Sequence, residues 1–436
     1  MIRTNPQSNH SFFPLSNQLP LQLLFQISMK KFEVPNIYRS NLISAIKNHR
    51  KQGDKLKKDF TPTLLDLGEV QFYLARHFGF CYGVENAIEI AFKTIEENPG
   101  KRIFLLSEMI HNPQVNATLV EKGVQFLQDT YGKQLIPFET ITKEDVVIIP
   151  AFGTTLDIEQ MLQEKGIPTE KYNTTCPFVE KVWNRSEQIA AKGYSIVVHG
   201  KPKHEETRAT FSHASAKAPT VILNDMADAI ELGKYITGLK PAAGFYTEFA
   251  GRYSDGFDIT TDLQQFGVVN QTTQLASDTQ AIAAYLKSVV MNHHGLNEET
   301  IEERFADTRD TLCYATNDNQ TAVTGLLDTE ADLALVVGGY NSSNTTHLVE
   351  LCEVKLPTYF INGTDKLISH TEILHFNFHD KQEYLTKDFL PAKRPVKILI
   401  TSGASCPDSL VEAVIRKTAS FLGVESRLDE QLSNFL

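Results

Sequence analysis

Three cysteines stand in similar local settings: Gly79-Phe80-Cys81-Tyr82-Gly83, Thr174-Thr175-Cys176-Pro177 and Thr311-Leu312-Cys313-Tyr314-Ala315. Each opens a segment of helical spacing, and Pro177 suits the first position of a helix. A cysteine at a helix N-terminus faces free backbone N–H groups and the positive end of the macrodipole, which stabilise a thiolate and favour metal ligation. The competing reading, a small buried hydrophobe, explains any one of them and loses ground when the same setting recurs. Soft thiolates suit an iron–sulfur cluster or zinc, and spacings of roughly a hundred residues exclude a local zinc knuckle or a ferredoxin-type cysteine run. Three thiolates on a four-iron cluster leave one iron without a protein ligand, the open position that a catalytic metal centre needs. Cys352, within Leu348-Val349-Glu350-Leu351-Cys352, reads as core, and Cys406 borders a polar loop without a partner pattern.

Polar residues cluster where strands end and helices begin, the place where open α/β sheets bind ligands. His111 and Asn112, His199 to Glu206, Gln271-Thr272-Thr273, Asn341-Ser342-Ser343-Asn344 and Ser402 to Ser405 all follow apolar runs. They offer hydroxyl, amide, imidazole and backbone donors, which near helix N-termini suit phosphate. Neither a P-loop nor a Gly-x-Gly-x-x-Gly fingerprint occurs, so a diphosphate without a base fits best; the competing reading is that Ser, Thr and Asn merely cap helices. His204-Glu205-Glu206 joins an imidazole to two carboxylates after a strand, a suitable proton source for a leaving hydroxyl, against the alternative of a solvated charge cluster. His77, His213, His293, His294 and His347 read as structural.

Positioning these residues requires alternating strands and helices. Strands are expected at Ile103–Leu106, Val146–Ile149, Ile196–Val198, Thr220–Leu223, Gly267–Val269, Leu333–Val337 and Val396–Ile400, with helical stripes through Val84, Ile88, Ala91 and Ile95, through Val179, Val182 and Ile189, and after Pro407. The pattern is that of parallel α/β units. For 436 residues it predicts three α/β domains, 70–180, 181–312 and 313–415, between an N-terminal extension (1–69) and a C-terminal segment (416–436). Residues 207–265 and 285–310 read as surface helices and loops. A net charge of −11 argues against a nucleic-acid footprint, and the Lys47–Lys58 stretch reads as a solvated helix and turn. No apolar run approaches membrane-spanning length. Five cysteines, odd in number and widely spaced, predict a reducing compartment. Residues 1–28 make a poor signal peptide and a weak transit peptide, and Met29 is a candidate start.

The motifs Gly-Phe-Cys-Tyr-Gly-Val at Cys81, His111-Asn112, Thr-Cys-Pro at Cys176, His-Glu-Glu-Thr at His204, Gln-Thr-Thr at Gln271, Cys-Tyr-Ala-Thr at Cys313, Asn-Ser-Ser-Asn at Asn341 and Ser-Gly-Ala-Ser before Pro407 occur in order. Together they resemble the 4-hydroxy-3-methylbut-2-enyl diphosphate reductase (IspH/LytB) family, in its longer plant and cyanobacterial form, from Phe78 to about Leu410. The resemblance implies α/β domains with parallel sheets in a pseudo-threefold arrangement around a central [4Fe–4S] cluster held by Cys81, Cys176 and Cys313. It implies that Glu206 delivers protons through a network with Thr272, while His111, His204, Thr272, Ser342, Ser343, Asn344 and Ser405 hold the substrate and its diphosphate. The implied reaction is reductive dehydroxylation to isopentenyl and dimethylallyl diphosphate, the last step of the methylerythritol phosphate pathway. The shorter bacterial form has a histidine where this chain has Phe152, so one diphosphate contact is expected to be missing or supplied by Thr154 or Thr155. Electrons are expected from a ferredoxin- or flavodoxin-like partner, since no nicotinamide or flavin fingerprint exists, and the expected location is a bacterial cytoplasm, with a plastid second. The rivals are a zinc-dependent hydrolase and a non-catalytic iron–sulfur sensor.

Overall fold

Short runs of branched and aliphatic residues such as Leu333-Ala-Leu-Val-Val337 and Ser195-Ile-Val-Val-His199 are buried along their whole length, as strands covered on both faces must be. The computed structural model describes residues 32–56, 58–306 and 311–436. Its strands are Thr63–Asp66 (β1), Val70–Leu74 (β2), Ile103–Leu105 (β3), Val124–Phe126 (β4), Val146–Ile148 (β5), Ser195–His199 (β6), Thr220–Leu223 (β7), Phe266–Asn270 (β8), Leu333–Val337 (β9), Thr358–Ile361 (β10), Glu372–Asn377 (β11), Gln382–Lys387 (β12) and Val396–Ser402 (β13). All the strands expected from the sequence are present, with bounds shifted by at most two residues.

The strands form three mainly parallel sheets and a hairpin. One sheet has the order β1-β2-β13-β9-β10, parallel except for the antiparallel edge pair β1 and β2. The others, β4-β3-β5 and β7-β6-β8, are wholly parallel. Glu372–Lys387 makes the separate hairpin β11-β12. In the largest sheet Val70 pairs with Val396 and Leu74 with Ile400, so the opening strands lie beside the last one. Strands β1, β2, β4, β10 and the hairpin were not expected. Strand β4 spans only three residues, and β12 is almost entirely exposed, so neither presents a long apolar run.

Contacts group Val34–Leu436 into one compact unit. The candidate start at Met29 and the segment 1–28 lie outside the described residues. The Lys-rich stretch is more than a solvated helix. Asn41–Gly53 buries Leu42, Ile43, Ala45 and Ile46, and Lys47 Nζ lies 2.7 Å from Asp408 Oδ1; Lys57 lies outside the described residues. Among the described residues no helix is long and apolar enough to cross a membrane.

Residues 207–265 and 285–306 are likewise not a surface region. Phe245 and Phe249, one helical turn apart, are fully buried, and their rings stack with centroids 4.9 Å apart. They pack with Leu232, Phe257, Leu286 and Val290 beneath the β7-β6-β8 sheet. The polar residues between the aromatics masked this core. Phe245→Ala is expected to cost about 3–5 kcal/mol in a urea titration; a loss below about 1 kcal/mol would contradict the burial assigned to the ring.

Candidate active site

The three cysteines of matching context occupy the same structural position. Cys81 precedes the helix Tyr82–Glu97, Cys176 precedes Pro177–Ala190 and Cys313 precedes Tyr314–Leu326, each in extended conformation as the N-cap. The backbone fastens each one to a neighbouring loop: Cys81 N–H donates to Ala404 O (3.2 Å), Cys176 N–H to Ala151 O (2.9 Å) and Cys313 N–H to Thr272 O (3.1 Å). All three line one cavity of about 90 Å³. Gly83 leaves room there, since a Cβ on it would stand 2.5 Å from Cys176 Sγ. Burial and the other thiols push Cys81 upward, burial pushes Cys176 up to about 12 despite the N–H of Phe178, and burial raises Cys313 against hydrogen bonds from Thr316. Metal binding at these positions therefore has to displace protons from the thiols. Among the described residues no group of three His, Cys, Asp or Glu side chains is placed to hold a single metal ion. Three cysteines lining one cavity are a donor set that fits an iron–sulfur group.

The same cavity is lined by His111, His204, Glu206, Thr272, Ser342, Ser343, Asn344 and Ser405, so every residue expected at the site reaches it. Glu206 sits in the first turn of Glu205–Ser215 and is 2% exposed. Its Oε1 accepts from Thr272 N–H at 2.5 Å and its Oε2 from Thr272 Oγ1 at 3.0 Å. Burial outweighs these bonds and raises the carboxyl to about 7, so near neutral pH it holds a transferable proton. Thr272 Oγ1, able to donate and accept, extends its reach into the cavity.

His204 caps that helix. Its Nδ1 accepts from Glu206 N–H at 3.1 Å, so the neutral ring carries hydrogen on Nε2. That nitrogen lies 3.2 Å from His111 Nε2. Burial and the neighbouring His111 hold His204 well below the ordinary histidine value, keeping it a neutral donor. Ser342 caps Ser343–Glu353 by accepting from Thr345 N–H, which turns this helix's positive end toward the cavity. Asn344 Oδ1 accepts from Ala404 N–H at 2.8 Å, and Ser405 Oγ donates to His111 O at 3.1 Å. Three loops that the sequence separates are thereby tied together.

Phe152 lines the cavity and stacks on His111, with centroids 4.3 Å apart and planes at 25°. Thr154 and Thr155 do not line this cavity. Gly153, at φ 76°, turns the chain, and both threonines line a separate cavity of about 160 Å³ with Ser107, Glu205 and Arg208. Thr273, from the Gln271-Thr272-Thr273 loop, and Thr316, from the motif at Cys313, also reach the thiol cavity, although neither was expected as a site residue; Thr316, three residues after Cys313, is legible as an N-terminal helix position. Cys352 and Cys406 are fully buried in the core of the largest sheet.

The LytB protein family model matches residues 72–419. A 4-hydroxy-3-methylbut-2-enyl diphosphate reductase of Picosynechococcus sp. is 38% identical over 381 residues, covering 87% of this chain and 89% of the relative. One of Synechococcus sp. is 39% identical over 379 residues, covering 87% of each. The fold is shared with the E-1-hydroxy-2-methyl-but-2-enyl-4-diphosphate reductase of Plasmodium falciparum, at a TM-score of 0.59 and 22% identity over 81% of this chain and 88% of that one.

Burial raises the Glu206 carboxyl from 4.5 to about 7, so it does not oppose folding below its unfolded value and costs stability as pH rises through the folded one. In the metal-free protein Glu206→Gln is expected to remove a loss of up to roughly 3 kcal/mol between about pH 4.5 and pH 7. Urea unfolding at both ends of that range measures it; equal pH dependence in the two proteins would contradict the assigned environment.

Proposed function

This chain belongs to the LytB protein family, and on that basis we propose that it reductively dehydroxylates 4-hydroxy-3-methylbut-2-enyl diphosphate to isopentenyl and dimethylallyl diphosphate, the last step of the methylerythritol phosphate pathway. The observation that carries the reading is the meeting, in one cavity, of three helix-capping thiols, a buried protonatable carboxyl and a set of anion-facing donors. The reaction breaks one allylic C–O bond, takes up two electrons and two protons, and releases water. Cys81, Cys176 and Cys313 would hold a [4Fe–4S] cluster, which would supply those electrons and a Lewis-acidic iron. A ferredoxin- or flavodoxin-like donor replenishes them.

The chain's own groups do the rest. Ser342, Ser343, Asn344, Ser405, His111 and His204 seat the diphosphate at the positive end of the Ser343 helix. Fixing the anion there brings the hydroxyl to Glu206 as an effectively intramolecular partner. Glu206, held by Thr272, gives the departing oxygen the proton that lets it leave as water. The same environment keeps a supply of protonated carboxyl near neutral pH.

Anaerobically purified protein is expected to be brown, to contain iron and sulfide, to absorb near ~400 nm and to consume the substrate under a strong one-electron reductant. Cys81→Ser, Cys176→Ser and Cys313→Ser are each expected to lose most of the colour. Glu206→Gln should lower kcat by about 100-fold or more with iron content retained. His204→Asn should chiefly raise KM, by about tenfold. A colourless zinc protein that leaves the diphosphate untouched would overturn the reading.

A further inference from the structure

The reaction leaves the acid next to Glu206 without a task. Glu205 is 6% exposed, and its carboxylate reaches away from the thiols, where Oε1 accepts from Ser107 Oγ and the side chain lines the second cavity beside Arg208, Thr154 and Thr155. Its Oε2 stands 3.4 Å from His111 Nε2, and His111 lines the thiol cavity. Glu205 therefore touches, through His111, a site it does not itself line.

The hydrogen bonds assign the ring protons. His204 carries its hydrogen on Nε2, directed at His111 Nε2. His111 Nδ1 faces Glu108 Oε2 at 3.4 Å and carries its own hydrogen there, so in the neutral ring Nε2 is a lone pair. A lone pair repels an arriving anion. Once the arriving anion takes over the His204 Nε2–H, His111 Nε2 is free to gain a proton and donate to a phosphate oxygen, and the acid beside that nitrogen is Glu205.

We propose that Glu205 is a positioning residue that stores, on the wall of the second cavity, the proton His111 needs to hold a diphosphate, and hands it from Oε2 to Nε2 as the anion binds. The proposal rests on the diphosphate reading of the site. The O–H bond breaks with its electron pair staying on the carboxylate, the N–H bond forms from the ring's lone pair, and the net charge of the pair is unchanged. Ser107 and the Arg208 guanidinium stabilise the carboxylate left behind, and Phe152, stacked on His111, offers its π face to the imidazolium. Burial raises Glu205 to about 7, against the pull of His111 and Ser107, so the proton is available near neutral pH. The charged or titratable groups facing the pair are Glu108, Arg208, His204 and, across the cavity, Glu206.

Calorimetric binding of the substrate diphosphate to cluster-loaded enzyme without reductant tests this. At about pH 7, E205Q is expected to raise Kd roughly tenfold, and the penalty to shrink as pH falls and solvent supplies the proton. On an H111Q background, E205Q should add less than about twofold, because its partner is gone. An equal penalty in both backgrounds, or one that ignores pH, would overturn the proposal and leave the reading of the site intact. Wild-type enzyme that fails to bind the diphosphate would overturn both.

Discussion

The arrangement depends on solvating charge without water. A cavity meant for thiolates, a diphosphate and a proton-bearing carboxyl has to replace the water each of them loses, and a desolvated charge left unpaired is costly. Backbone N–H groups at helix N-termini are the replacement used here. Cys81, Cys176 and Cys313 each precede a helix, His204 caps the helix that carries both glutamates, and Ser342 caps another. Parallel strands make this possible, because the loop leaving one end of each strand feeds directly into the next helix.

The two adjacent glutamates show how a cavity wall can separate functions. Successive positions on a helix point in directions about 100° apart. Glu206 is thereby turned to Thr272 and the thiols, whereas Glu205 is turned to Ser107 and His111. Burial raises both carboxyls to about 7, yet their hydrogen-bond partners belong to different loops. One environment supplies two acids with different neighbours.

Closeness of approach is the other requirement. Gly83 opens space beside the Cys176 thiol. A side chain on Gly339 would collide with the His111 carbonyl, and one on Gly403 with Thr345. These glycines let loops from two sheets meet. The hydrogen bonds from Ser405 to His111 and from Ala404 to Asn344 then hold them in place.

Much of this was legible in the sequence because it is local. Helical stripes mark the segments after Cys81 and Cys176, buried strands are short apolar runs, and a cysteine or serine before a helix declares its capping position through neighbours a few residues away. The ordered motifs carried the site further, down to Glu206 and Thr272. What the chain could not declare involves distance in sequence. The pairing of Val70 with Val396 joins segments far apart in the chain. The aromatic core around Phe245 hid among polar residues, and the turn at Gly153 sent Thr154 and Thr155 to a second cavity. The partners of Glu205 and the proton positions on His111 and His204 were likewise invisible. Local propensity acts over a few residues, whereas burial, ring stacking and the weakened acidity of a buried carboxyl depend on which remote segments pack against it, and only the tertiary structure decides that.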